Sequence, residues 1–150
     1  MVIPKTLFLP GSNGLGITDC EFNWTCWRCW ARSTFVPTKD FDLSRRFYEA
    51  LGFKKVLDSE VAIFNAGSGG FILQRYYKKD WAENFMMQLM VDDLDAWWEH
   101  INALDLPGQF GVPPPKAPAM QPWGLRILYI VDPCGVLWHV AQRRKGAVQD

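Results

Sequence analysis

From residue 33 onward the apolar residues change their spacing in a regular way, and the changes mark out two successive units built in the same order. Thr34 to Thr38 reads as a short strand. Asp40 or Asp42 then offers an oxygen suited to capping a helix, in which Leu43, Phe47, Ala50 and Leu51 recur on one face before Gly52 ends it. Phe53–Leu57, Val61–Asn65 and Phe71–Tyr76 follow as three strands, separated by Asp58-Ser59 and by Gly67-Ser68-Gly69-Gly70. The order then repeats. Phe85–Val91 is an apolar strand, Asp92 or Asp93 caps a second helix, and Leu94, Trp97, Ile101 and Leu104 form its apolar face until Pro107-Gly108 stops it. Val112 to Ala117 is expected as a Pro-rich edge strand or extended segment, because three consecutive prolines cannot serve a central ladder. Leu125–Val131 and Val136–Gln142 close the second unit.

The last of these stretches, Gln121 to Gln142, combines a rigid aromatic loop with a buried hairpin. Pro122 and Gly124 bracket Trp123, so the indole sits on a constrained loop, either as a flat platform for a ligand or as a structural anchor. Leu125 to Val131 is nearly continuous apolar sequence, as expected of a strand covered on both sides. In Asp132-Pro133-Cys134-Gly135, proline presets φ and glycine tolerates φ > 0, which is turn chemistry.

Residues 1–32 differ in character and read as an N-terminal extension, with Gly11, Gly14 and Gly16 and with Trp24, Trp27 and Trp30 close together. The glycines lack the Gly-Lys-Ser/Thr ending of a phosphate loop. The tryptophans would be costly to expose, so they are expected to pack on the domain or on a partner subunit. Residues 143–150, opening with Arg143-Arg144-Lys145, read as a solvated basic tail.

With 49% hydrophobic residues in 150, the chain can bury a core, and its formal charge of zero gives no global field for nucleic acid or an anionic membrane. Residues 33–142 carry 13 acidic and 10 basic side chains, hence −3, a bias toward a cationic ligand. No apolar run is long enough to span a membrane and no secretory signal is evident, which places the protein in the cytoplasm. The four cysteines, Cys20, Cys26, Cys29 and Cys134, form neither a disulfide framework nor a complete zinc site and are read as free thiols.

In residues 33–142 the sequence resembles the glyoxalase, bleomycin-resistance and extradiol-dioxygenase superfamily. The marks are Asp40-x-x-x-Ser44-x-x-Phe47-Tyr48-x-x-Leu51-Gly52-Phe53, then Val91-Asp92-Asp93-Leu94-Asp95, then Pro122-Trp123-Gly124 with Asp132-Pro133-x-Gly135. The resemblance implies an α+β fold of two βαβββ modules, at 33–77 and 83–142, whose sheets curl into a cup, with a homodimer lining or completing the site. Enzymes of the family hold a divalent metal on the first and last strands of each module. Those positions carry over to Ser33, Gln74, Met86 and His139, a poor set for such an ion, so neither a metal nor another cofactor is expected.

Within the superfamily the resemblance runs to bleomycin-resistance proteins, which are non-enzymatic dimers that sequester the drug in grooves between subunits and stack it on the tryptophan equivalent to Trp123. The expected ligand-binding set is Trp123, His139, Gln74, Gln88 and Met86. Gln74 and Gln88 offer amide donors and acceptors to a ligand. His139 reads either as a hydrogen-bonded groove histidine or as a ligand contact. Met86, Met87 and Met90 read as core filling or as an adaptable pocket lining. The first functional reading is therefore metal-independent sequestration of a toxic, planar or amphipathic small molecule, as in antibiotic resistance. A metal-dependent lyase, isomerase or dioxygenase of the same fold and a non-catalytic regulatory domain stand as alternatives.

Overall fold

Each strand exchanges one face for the other every residue, so burial that alternates along it separates an inner from an outer face. That alternation is clear in the computed structural model, which describes residues 33–66 and 69–143. These fall within one unit, Ala31–Asp150. The expectations for residues 1–32, for Cys20, Cys26 and Cys29, and for residues 144–150 lie outside the described residues.

The first module runs β1 (Ser33–Pro37), α1 (Phe41–Ala50), β2 (Lys54–Asp58), β3 (Val61–Ala66) and β4 (Gly69–Gln74). A short helix, α2 (Lys79–Ala82), links it to β5 (Met86–Met90), α3 (Leu94–Ala103), α4 (Leu106–Phe110), β6 (Lys116–Met120), β7 (Leu125–Val131) and β8 (Leu137–Arg143). Two four-stranded sheets result, ordered β1-β4-β3-β2 and β5-β8-β7-β6, with the first strand of each module parallel to its last. The α+β arrangement of two βαβββ modules is as the sequence predicts, and the two sheets are not closed on one another.

Both main helices start on aspartate. Asp40 accepts from the Leu43 amide at 2.9 Å, and Asp93 accepts from the Asp95 and Ala96 amides at 3.1 and 3.0 Å. The buried face of α1 is rotated from the predicted stripe. It comprises Phe41, Ser44, Phe47 and Tyr48, continued by Leu51, while Leu43 and Ala50 are only half-buried. A polar Ser44 interrupts the apolar period and hides the true phase.

Three further departures follow from proline and backbone chemistry. Pro107 does not stop a helix. The chain turns at Asp105, whose φ is +45°, and Pro107 opens α4, where its missing N–H is not needed. The edge strand begins at Lys116 rather than Val112, since Pro113, Pro114 and Pro115 have no N–H to donate, and β6 still carries an irregularity between Lys116 and Ala119. The linker between the modules forms the α2 turn, which the hydrophobic pattern does not predict.

The inner faces of both sheets enter one aromatic core. Phe64 stacks on Phe71 (centroids 5.3 Å apart), and Tyr48 meets Phe71 at 4.7 Å and Trp138 at 5.8 Å. Val36, Ala62 and Leu73 from the first sheet and Leu128, Ile130 and Val140 from the second complete it, with Trp97 and Trp98 packed against it half-buried. The outer faces lie on the sides of the two sheets turned away from this core.

Candidate functional site

The second sheet's outer face is made of three cross-strand rows. Met86, Leu137 and Val131 form the first; Gln88, His139, Tyr129 and Lys116 the second; Met90, Ala141, Ile127 and Ala119 the third. Ala141 and Ile127 are buried, whereas Met86 keeps 64% of its surface exposed. The Tyr129 and His139 rings meet edge to face at 4.8 Å. Burial lowers the His139 pKa from its ordinary value, so the imidazole is neutral at pH 7 and carries one donor and one acceptor. The Gln88 amide donates to the Met90 sulfur at 3.2 Å.

The first sheet's outer face is simpler. Phe35, Ile72, Ile63 and Leu57 form an apolar row across all four strands, flanked by Pro37, Gln74 and Val61 on one side and by Ser33, Gly70, Asn65 and Lys54 on the other. Phe35 is 55% exposed. Gln74 is half-buried, and its carbonyl accepts from the Thr38 hydroxyl at 2.8 Å.

Trp123 stands on the loop joining β6 to β7. The Gln121 amide donates to the Leu125 carbonyl at 2.8 Å, Gly124 donates back to Gln121 at 3.0 Å, and Gly124 has φ +86°, which makes a three-residue hairpin loop ending in a left-handed glycine. The β7–β8 loop repeats the device with Asp132, Val136 and Gly135 (φ +95°). At 62% exposed, the Trp123 indole is not an anchor buried in the core.

Of the five expected residues, Gln88 and His139 are direct cross-strand partners and Met86 is in the adjoining row of the same face. Gln74 lies on the other sheet's outer face. Trp123 sits beyond the end of β7, with Tyr129 four residues on from Leu125, roughly 14 Å away along the strand. One chain alone does not bring all five to a single ligand.

The positions at which the family's enzymes bind metal are likewise dispersed. Ser33 pairs with Gly70 and Gln74 with Pro37, at opposite ends of the β1–β4 ladder, while Met86 and His139 occupy different rows. A hydroxyl, an amide, a thioether and one imidazole do not suit a divalent ion. Among the described residues there is no group of three or more His, Cys, Asp or Glu side chains placed to hold one.

What sequence reasoning missed is the support behind these faces. Asp132 is buried in the β7–β8 loop. Its Oδ2 accepts from the Tyr48 hydroxyl at 2.7 Å and its Oδ1 from the Cys134 and Val136 amides, both at 2.8 Å. The Trp138 indole N–H donates to the Tyr48 oxygen at 3.2 Å. Cys134 Sγ accepts from the Lys39 amide at 3.1 Å and lies 3.3 Å from Ser44 Oγ. Burial raises the Asp132 pKa, opposed by the Tyr48 hydrogen bond and by the loop amides; burial and the neighbouring carboxylate hold Tyr48 well above its ordinary value, as a donor. The network ties α1 of one module to β8 of the other.

Two clefts also open among the described residues. One, of about 560 Å³, lies where β3 and β4 of the first module meet β5 and α3; its lining includes Phe53, Asn65, Met90, Asp92 and Trp97 and, of the expected ligand set, Gln88 alone. The second, of about 460 Å³, is bordered by Asp92, Asp93 and Asp95 together with Met120, Arg126 and Arg143.

Comparison with known proteins places this arrangement. Residues 30–140 match the model of the Glyoxalase/Bleomycin resistance protein/Dioxygenase superfamily. A bleomycin resistance protein of Klebsiella pneumoniae is 31% identical, the match covering 71% of this chain and 87% of that one. A bleomycin-binding protein solved in complex with bleomycin superposes with a TM-score of 0.64 at 28% identity, over 75% of this chain and 98% of the other. A bleomycin resistance determinant encoded on transposon Tn5 gives a TM-score of 0.62 at 27% identity, again over 75% and 98%. On the sequence match and the shared fold together, the chain belongs to the glyoxalase, bleomycin resistance protein and dioxygenase superfamily.

Proposed function

We propose that this protein sequesters a planar or amphipathic small molecule, without metal and without chemical change, on the outer faces of its sheets. The observation that carries the reading is the composition of those faces. Phe35, Leu57, Met86 and Met90 are apolar and exposed there, interleaved with the neutral polar groups Gln74, Gln88 and His139. Exposed apolar surface with a few polar groups marks a binding surface. The kinship with bleomycin-binding and bleomycin-resistance proteins supports a drug-like ligand.

The groove of this reading lies between two copies of the chain. A homodimer in which the first sheet of one protomer faces the second sheet of its partner brings Gln74 opposite Gln88 and His139. Trp123 serves as the stacking platform at the mouth of that groove. Among the described residues no side chain hydrogen-bonds to the His139 ring to orient it as a base, and Tyr129 touches it ring to ring, which supports binding rather than turnover.

Tryptophan fluorescence tests this on wild type and Trp123→Ala with bleomycin and a panel of planar aromatic drugs. The reading predicts saturable binding at micromolar concentration or tighter, weakened at least about tenfold in the variant, since lost stacking on a large ring contributes on the order of 1.5 kcal/mol. A flat response across the panel would overturn it.

A further inference from the structure

The net charge of residues 33–142 conceals how unevenly the charges lie. Asp58 is the only acidic residue in the eight strands of the described residues, and it is on the inner side, where Arg45 and Lys55 each approach it at 2.7 Å. Lys55 is held there by Glu49 as well, at 2.6 Å. Arg126 also projects to the helix side, gripping Asp95 through two contacts of 2.7 and 2.8 Å. Most of the remaining acids sit at helix starts or in loops; Asp40, Asp42, Asp93, Asp95 and Asp105 all serve first turns or caps.

What this leaves on the outer faces is basic. Lys54 lies on the first sheet, in the row with Asn65 and Gly70. Lys116 lies on the second, in the same row as Tyr129, His139 and Gln88, and Arg143 lies further along β8. All three are exposed, and none makes an ion pair with a described residue. No strand position on either outer face is a carboxylate. The outer strand positions thus carry basic groups although the net charge of residues 33–142 is negative.

We infer that the ligand is a planar aromatic anion bearing a carboxylate, sulfonate or phenolate, whose ring lies along the apolar rows and whose charge is met by Lys116 and Lys54. This rests on the proposed binding at the sheet faces. A polycation would find no carboxylate at the strand positions of these faces, the nearest being Asp92, Asp93 and Asp95 on the cleft rims, whereas an anion meets two ammonium groups that have no ion-pair partner among the described residues. The apolar rows exclude water from the ring, and Gln74, Gln88 and the neutral His139 satisfy its remaining polar atoms.

The test compares three fluorescent probes at low ionic strength: 1-anilinonaphthalene-8-sulfonate, the matching neutral N-phenyl-1-naphthylamine, and cationic proflavine. Wild type is set against the doubly substituted Lys54→Gln/Lys116→Gln protein, with folding of both checked by circular dichroism. The sulfonate dye is expected to bind about tenfold more tightly than its neutral counterpart. That preference should fall below about threefold in the variant, while neutral-dye affinity stays unchanged. The expectation follows from a close charge contact on the order of 1.4 kcal/mol. Equal affinity for the two naphthalene dyes, or a preference that survives the double substitution, would overturn the inference and leave the sheet-face reading intact. Tighter binding of proflavine would overturn it too, and would direct attention to the Asp92, Asp93 and Asp95 rim. If neither naphthalene dye binds saturably, both the inference and the sheet-face reading fall.

Discussion

Tyr48→Phe removes one oxygen from the centre of the molecule and nothing else. The ring keeps its neighbours Phe47, Phe53, Phe64 and Phe71, all within about 6 Å between centroids. Two hydrogen bonds go: the one donated to the buried Asp132 at 2.7 Å and the one accepted from Trp138 at 3.2 Å. A hydrogen bond to a charged group contributes roughly 1.5–3 kcal/mol, and leaving a buried indole N–H without an acceptor costs about 1 kcal/mol more. The expected loss is about 2.5–4 kcal/mol, a large share of the roughly 5–15 kcal/mol that holds a domain folded.

The loss also depends on pH in a defined direction. Burial raises the Asp132 pKa in the folded state, so its protonation favours folding, and that contribution fades as pH rises through the folded value. The Tyr48 hydroxyl counteracts the rise; without it, Asp132 moves higher still. The deficit of the variant is therefore largest above both folded values and shrinks on acidification, because Asp132 takes up its proton at a higher pH in the variant than in wild type. Urea unfolding at fixed protein concentration, followed by circular dichroism and by tryptophan fluorescence across a descending pH series from pH 7, reads this directly. A loss under about 0.5 kcal/mol at pH 7, or a deficit that grows on acidification, would refute the reasoning.

Two further outcomes follow from the same structure. Gly135→Ala places a Cβ 3.2 Å from Glu83 Cγ on a backbone at φ +95°, and the left-handed conformation alone costs an alanine about 1–2 kcal/mol, so the urea midpoint should fall accordingly. Phe35→Glu puts a carboxylate into the exposed apolar row of the first sheet; sedimentation velocity should show a dimer for wild type and a folded monomer for the variant, and a monomeric wild type would dismiss the proposed groove between copies.

Much of the fold is legible in the sequence because it is locally encoded. The aspartate caps, the period of α3, the alternation in β3 and β4 and the two Pro-x-Gly loops each sit within a few neighbouring residues, and each appears where it is expected. The failures are of another kind. Ser44 belongs to the buried face of α1 because it meets Cys134, 90 residues away, and no periodicity reveals such a contact. Tyr48, Asp132 and Trp138 all stand in or beside recognisable motifs, yet their meeting is set by the packing of one module on the other. The candidate site divides the same way. Gln88, His139 and Met86 share a face because strand alternation dictates it, whereas Gln74 belongs to the other sheet, and no local pattern says how the two sheets are placed. The net charge of residues 33–142 leaves open which face each charge occupies, because a sum over residues carries no positional information.

Isothermal titration of EDTA-treated protein with bleomycin and with planar aromatic acids, followed by mass spectrometry of the released ligand, tests the central claim most directly. The account predicts saturable binding of at least one of these compounds that is indifferent to EDTA, with the ligand recovered unchanged. Binding that requires a restored divalent metal, or recovery of a chemically altered ligand, would contradict it.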